Sequence, residues 1–562
     1  MRKFKWKIDP LLLIVVGVGI VTLLLKCRIA YPIQWIGDTD EAAYIDMADN
    51  LIHGKGLSND FIQYSYFLSR LKYSEITQPE AHYAPLYSLL ITPFFLMLGK
   101  SAFAAKLPAM IIGSLFLPVS LYLLTERLSR SRVASLAAGL SAMFFPVIFS
   151  RSLLPDDDVP FVFLIVLSCF LIIEAQDSPK FFYPAGIFIG LTYYAKGTGL
   201  WLIPAYLVFC LISGGLGILR NRKMWICFAI IFFIMLPWFV RNTIHFRNPI
   251  FSTQQYAAGY IGYKGWEEGT YSLYWGEAMP SLLSKFRQAG IGKVWEKSLE
   301  HYGYYLSRAL AHYMSIPAIL GLLLFMASCL YLPLNRLLMK KRHEAGKTHR
   351  VSEFLKPWHN RDLHALWLVS FFLMTFLAVC WSPIDRLALP FVMMGMAIGW
   401  TTCHIAAKQI FARAEHSYII VPCLIVLLMI PVVSLSAAGV YGDYREGGFP
   451  YGEDFQSWME TGTWIKENLP GSVTMFREPG QLHFYSEEKG VQIPLADLDK
   501  IIKVMKFYKV TYIIPHVNMR PTMRPLVEGK IPGLKLVYDQ GLKIYEIQYD
   551  LLPPAFVDGP NP

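Results

Sequence analysis

Long apolar blocks free of charge constrain this chain more than any other feature. The runs 11–25 and 419–440 contain no Asp, Glu, Lys or Arg. Many further blocks last roughly 15 to 25 residues, close to the length a helix needs to cross a hydrocarbon core. Composition agrees, with 54% of the 562 residues hydrophobic, 17% charged and a mean hydropathy of +0.38. The class that follows is a mainly α, polytopic membrane protein.

The net charge of +11 does not point to nucleic acid. Its positive residues fall between apolar blocks on alternate loops, as orientation by the positive-inside rule requires. Arg2-Lys3-Phe4-Lys5-Trp6-Lys7 holds the N-terminus in the cytoplasm. Lys26-Cys27-Arg28 follows the first block where a cleaved leader would have small residues, so that block stays as a signal anchor. All eight cysteines lie in or beside apolar blocks and read as small buried hydrophobes rather than disulfides or metal ligands.

Spans are expected at 11–25, 102–125, 133–150, 159–174, 181–195, 200–216, 224–240, 309–333, 364–381, 387–405 and 417–440, about eleven in all. The block 86–98 is short and contains Pro93, which suits a re-entrant or interfacial segment. Basic connectors at Arg127, Arg130 and Arg132, at Arg220-Asn221-Arg222-Lys223, and between Arg336 and Arg350 face the cytoplasm. The loop 31–84, the connector 151–158, the turn at Lys196 and the polar loop 241–303 therefore face outward. An odd number of spans sends the C-terminus outside as well.

Composition shifts after residue 441. Residues 1–441 read as the membrane domain and 442–552 as a small extracytoplasmic α/β domain, followed by a disordered tail at 553–562. The soluble part predicts an amphipathic helix carrying Phe455, Trp458 and Ile465 on one face, and a strand at 473–476. A helix near 496–507, a strand at 510–514 and a hairpin of 534–538 with 542–547 complete it.

Two acidic groups lie on the outer side. Gly37-Asp38-Thr39-Asp40-Glu41 opens the first loop, and a capping box accounts for Asp38 and Glu41 while leaving Asp40 without a task. Asp156-Asp157-Asp158 occupies the connector before the span at 159–174. One acidic loop tip is ordinarily just solvated, but two at separate span ends on one side point to function. Lys196, Arg241 and Arg386 sit at outer span ends too. Each alone reads as a snorkelling anchor, whereas together with a carboxylate base they suit an anionic lipid phosphate. His82-Tyr83 adds polar aromatics at the same level, where an interfacial belt is the plain explanation.

These residues and their order resemble the GT-C membrane glycosyltransferases, in the branch containing protein O-mannosyltransferases and aminoarabinose transferases. The likeness rests on Asp40-Glu41 with Tyr44 and the run 50–58, then Ala84-Pro85-Leu86-Tyr87, and then Arg151 through Pro155-Asp156. Ala195-Lys196-Gly197-Thr198-Gly199, Pro237-Trp238 with Arg241-Asn242, and Asp385-Arg386 with Pro390 follow in turn. The resemblance implies a GT-C fold with a polyprenyl-phosphate sugar as donor and a lipid, glycan or protein as acceptor. It further implies inverting transfer at the outer face, in a bacterial inner membrane. It assigns Asp40 as general base with Glu41 beside it, Asp156 as the second acidic site, and Lys196 as a contact to the carrier phosphate. Arg241 and Arg386 join Lys196 as phosphate-binding candidates, and His82, Tyr83 and Asp157 as pocket candidates.

Asp38-Thr39-Asp40 has the Asp-x-Asp form that some transferases use for a divalent metal. A lipid monophosphate lacks the diphosphate such a metal usually bridges, so no metal is expected as a certain cofactor. The competing class is a transporter or flippase of lipid-linked glycans. Such proteins show internal repeats and charges near mid-membrane, neither of which this sequence displays.

Overall fold

In the computed structural model, the described residues are 9–63, 73–254, 282–308, 385–445 apart from 413 and 415, and 455–553 apart from 519, with isolated positions between 319 and 370. Among them, six helices are long and apolar enough to cross a membrane: Pro10–Ala30, Ala102–Ser129, Asp158–Asp177, Arg222–Phe246, Arg386–Ile410 and Ser417–Tyr441. Shorter apolar helices cover Leu86–Leu98, Arg132–Met143 and Gly197–Ile212. The protein is a multi-pass integral membrane protein. The spans expected at 309–333 and 364–381, the N-terminal basic run, the basic stretch 336–350 and the tail beyond 553 fall wholly or largely outside the described residues.

Local chemistry sets the helix ends. Pro10 starts the first helix and Asp9 caps it, accepting from the Leu11 N–H at 3.1 Å. The expected single span at 133–150 is instead broken into Arg132–Met143 and Pro146–Arg151. Pro146 has no N–H to donate and forces Phe145 into an extended conformation (φ −65°, ψ 119°). Arg151 ends the second piece, shortly before the acidic run. The outer loop expected at 241–303 also contains helix, beginning at Leu282 and kinked at Gly290 (φ 76°).

Packing in the bundle relies on small residues where helices approach. Gly186 and Gly190 face Ile230 and Ile234 of the helix Arg222–Phe246, and a Cβ on either glycine would lie 2.8 Å from that helix's atoms. The largest apolar core joins these helices to Ala102–Ser129, Asp158–Asp177 and Leu389–Ile410.

The C-terminal region forms a six-stranded mixed sheet. Its order is Phe61–Ile62, Lys489–Gln492, Val473–Phe476, Tyr512–Ile513, Ile544–Ile547, Leu534–Tyr538, with the first four parallel and the last two antiparallel to their neighbours. The helices Phe455–Asn468 and Leu498–Phe507 and the hairpin appear where the periodicity predicts them. The edge strand Phe61–Ile62 comes from the first loop, so this sheet is shared between distant parts of the chain. The helix Pro479–Ser486 packs on the helix Thr39–Ile52.

Candidate active site

The first acidic run is organised around a helix start. Gly37 takes φ 103°, and the Glu41 side chain folds back so closely that a Cβ on Gly37 would lie 2.7 Å from it. Glu41 Oε2 accepts the Asp38 N–H at 2.9 Å, which is the capping interaction expected from the spacing. Asp40, in the first turn, points elsewhere. Its Oδ1 accepts from the Tyr83 hydroxyl at 2.8 Å and its Oδ2 from Arg386 Nη2 at 2.6 Å.

Arg386 joins the two acidic runs. Its Nη1 lies 3.6 Å from Asp156 Oδ2 and its Nε 3.9 Å from Asp158 Oδ2. Arg151 Nη1 stands 3.5 Å from Asp156 Oδ2 and 4.0 Å from Glu41 Oε1. Lys196, at the end of the helix Phe182–Ala195, sits 2.9 Å from Asp157 Oδ1 and donates to Asp158 Oδ1. Asp40, Asp156 and Lys196, far apart in sequence, thus meet in one network at one end of the bundle. All three aspartates of the second run face it, which sequence spacing alone left open.

Exposure separates the members. The Asp40 side chain keeps 28% of its surface, against 1% for Asp156 and Glu41. Among the carboxylates of this network for which an ion pair is formed, Asp40 is the most open to an incoming group.

Charge balance differentiates them further. Five part- or fully buried carboxylates (Asp40, Glu41, Asp156, Asp157, Asp158) face three cations (Arg151, Lys196, Arg386), which favours a proton on some of them. Burial, reinforced by the charges of Asp38 and Asp40, pushes Glu41 up to about 8. Burial and then the charges of Asp158 and Glu41 push Asp156 well above the ordinary carboxylate range, and burial raises Asp157 despite Lys196. For Asp40 the upward push of burial is outweighed by the Arg386 charge and the Tyr83 hydrogen bond, which hold it below that range. At neutral pH Asp40 is ionised while Glu41 retains its proton.

His82 stacks edge-on against Tyr83 at 4.6 Å, and its Nδ1 lies 2.5 Å from the Thr253 hydroxyl. Burial lowers it to about 4, with the Asp40 charge opposing, so the ring is neutral at pH 7. Glu80 Oε1 accepts the N–H groups of both His82 and Tyr83 and thereby fixes the segment that presents Tyr83 to Asp40.

Arg241 is placed differently from Lys196 and Arg386. Its guanidinium stacks on Trp238 at 4.5 Å and Phe246 at 5.1 Å, donating to the Leu57 carbonyl at 3.0 Å and to Asn242 Oδ1 at 2.9 Å. The third cation of the network is Arg151, and Asp158 is a further member. Both stand within motifs the sequence shows, Arg151 ahead of Pro155-Asp156 and Asp158 at the end of the acidic run, but neither is assigned a role there. A lone Arg shortly before three aspartates is the signal that points to the pairing.

The donor atoms do not favour a divalent metal. Both oxygens of Asp40 are taken by Tyr83 and Arg386. Oxygens of Asp156, Asp157 and Asp158 lie within 4.8 Å of one another, but the Lys196 ammonium occupies the Asp157 and Asp158 oxygens, the position a cation would take.

The helical membrane bundle carries this network at one end, with an α/β module against the same end. Residues 82–240 match the family described as dolichyl-phosphate-mannose-protein mannosyltransferase. The fold is similar to ArnT from Cupriavidus metallidurans bound to undecaprenyl phosphate, at 14% identity and TM-score 0.55, covering 96% of this chain and 99% of that one. It is also similar to the Archaeoglobus fulgidus oligosaccharyltransferase in complex with Zn and sulfate (15% identity, TM-score 0.53, 96% and 73% covered). AglB of the same organism, with an inhibitory peptide and a dolichol-phosphate, matches at 14% identity and TM-score 0.52, covering 94% and 74%. No curated protein sequence matches the chain.

Proposed function

We propose that this protein is an inverting glycosyltransferase that moves a sugar from a polyprenyl phosphate to an acceptor hydroxyl at the outer face of a bacterial inner membrane. In this reading residues 1–441 form the transferase unit, 442–552 cap it outside, and the N-terminus is cytoplasmic. The observation that carries the reading is the pairing of one part-exposed carboxylate, Asp40, with a guanidinium shared with a buried acidic site. The match of residues 82–240 to the mannosyltransferase family and the lipid phosphates in the similar structures support it.

The chemistry needs three operations. Asp40 accepts the proton of the acceptor hydroxyl as its oxygen bonds to the anomeric carbon, while the bond from that carbon to the phosphate oxygen breaks on the opposite face. One in-line displacement inverts the centre and releases polyprenyl phosphate. A positioned base of this kind supplies roughly 10²–10⁴ in rate. Arg386 and Lys196 steady the charge that grows on the departing phosphate.

The network also explains how Asp40 is kept in check. While Arg386 holds it, Asp40 is a weak base. A donor phosphate competing for Arg386 and Lys196 draws the guanidinium away and raises the basicity of Asp40 when substrate is present. Glu41, pushed up to about 8, holds a proton and dampens the charge change. Tyr83 and His82 line the acceptor side. Arg241 acts on the loop carrying Leu57 instead of on phosphate.

The test is to incubate purified protein in lipid nanodiscs with labelled polyprenyl-phosphate sugars and a lipid extract as acceptor source. Free polyprenyl phosphate and labelled acceptor appearing together support transfer. Movement of intact donor across the bilayer with neither product would contradict it and favour a flippase.

A further inference from the structure

The contacts between residues 478–485 and the first loop reach beyond the reacting groups. Glu478 accepts from the Thr39 hydroxyl, and its Oε2 also takes Gln63 Nε2 at 3.3 Å. Gln481 Nε2 donates to the Gly37 carbonyl at 2.8 Å, and the Tyr485 hydroxyl to the Gln34 carbonyl at 3.2 Å. His483 Nε2 lies 3.0 Å from Asp46 Oδ1 on the helix Thr39–Ile52. Four side chains from one short stretch thus grip both flanks of Asp40 and the middle of its helix, with Glu478, Gln481 and His483 buried.

The geometry around His483 also fixes its protonation. Nδ1 lies 2.8 Å from the Glu488 carbonyl and Nε2 faces the Asp46 carboxylate. Both partners are acceptors, so both ring nitrogens must donate, and a neutral imidazole has one N–H. Asp46 accepts at both oxygens, taking the Asp60 N–H at 2.6 Å with the other. These contacts match those of a buried imidazolium on a carboxylate.

We propose that residues 478–485 form a clamp from the C-terminal region that positions Asp40 for proton abstraction, closed by the His483 imidazolium on Asp46. This rests on the reading of Asp40 as base. Asp40 stands in the first turn of a 14-residue helix, where fraying is least costly, and misplacement of a base by about 1 Å costs on the order of a hundredfold in rate. Glu478 and His483 are positioning residues, since neither touches the reacting atoms.

The clamp has a direction in pH. Burial alone lowers the His483 pKa, but the Asp46 charge and hydrogen bond outweigh it and hold the ring above its ordinary 6.5. A raised histidine stabilises fully below 6.5 and loses that contribution as pH rises through the folded value. The other charged groups around it are Asp60, paired with Lys55 at 2.5 Å, and Lys100, paired with Asp49 at 2.8 Å.

The test uses the full chain in nanodiscs, with hydrogen exchange of the amides at 39–52 read alongside transfer. In His483→Gln and Glu478→Ala these amides should exchange about tenfold faster or more. The turnover number should fall roughly tenfold to a hundredfold with little change in the donor KM. In the unmodified protein, protection at 39–52 corrected for intrinsic exchange should drop at alkaline pH, and His483→Gln should lack that step. Unchanged protection in both variants, or a flat pH profile in the unmodified protein, overturns the clamp. A protein that transfers no sugar yet shows the exchange changes would overturn the reading of Asp40 and leave the clamp standing.

Discussion

The acidic runs Asp38-Thr39-Asp40-Glu41 and Asp156-Asp157-Asp158 carry three carboxylates each and meet at Arg386, yet their surroundings differ. In the first, Glu41 is turned inward onto its own helix start, and Asp40 is left part-exposed on a hydroxyl and a guanidinium. In the second, every aspartate is buried against Lys196, Arg386 or Arg151. Burial converts one run into a fixed template for cations. The other run keeps one carboxylate, Asp40, open to solvent on one side. Removing a charge should therefore cost stability in the second run and rate in the first.

The sharpest way to break that contrast is Lys196→Ala. It strands Asp157 and Asp158 without their ammonium, and loss of one partner of a buried pair costs about 3–5 kcal/mol. Thermal unfolding should show a large drop in Tm that Asp40→Asn does not share. Equal losses would erase the distinction between the runs.

Tyr83→Phe probes the first run more gently. It removes one hydrogen bond to the charged Asp40, worth about 1.5–3 kcal/mol, so the transfer rate should fall roughly tenfold or more, with a smaller drop in Tm than Lys196→Ala. A fall in Tm with an unaltered rate would make Tyr83 structural.

A pH-dependent difference concerns Glu41. With its folded value near 8 against an ordinary 4.5, the folded state holds a proton that the unfolded chain releases. Its contribution is complete below 4.5 and is lost as pH rises toward 8. Tm should therefore decline less over that interval in Glu41→Gln than in the unmodified protein, by a few degrees. Parallel profiles would show that Glu41 does not carry the proton.

How much of this was legible in the sequence depends on how local each signal is. Charge-free blocks and basic connectors located most described helices to within a few residues, because span length and capping act over neighbouring positions. The break at Pro146 was visible as a proline but was absorbed into a span, since hydropathy does not register a missing N–H. Asp40, Asp156 and Lys196 could be placed on one side of the membrane from topology. Arg386, the shared partner of Asp40 and Asp156, stands out in the sequence only as one of three cations, and Arg241 cannot be separated from it there. The choice among cations depends on which ring or carbonyl each guanidinium meets, as Arg241 meets Trp238 and Leu57. The pairing of Phe61–Ile62 with Lys489–Gln492 joins segments more than 400 residues apart. A two-residue strand has no periodicity by which it could be recognised.

The most direct measurement is the single-turnover rate of sugar transfer by Asp40→Asn, with labelled polyprenyl-phosphate sugar in saturating amount and folding checked by Tm. Replacing the carboxylate by an amide removes the proton acceptor and leaves Arg386 its contacts to Asp156 and Asp158. The account predicts a rate lower by roughly 10²–10⁴ with Tm essentially unchanged. A variant that keeps more than about a tenth of the rate would contradict it, because a loss that small is outside what removing a positioned base produces.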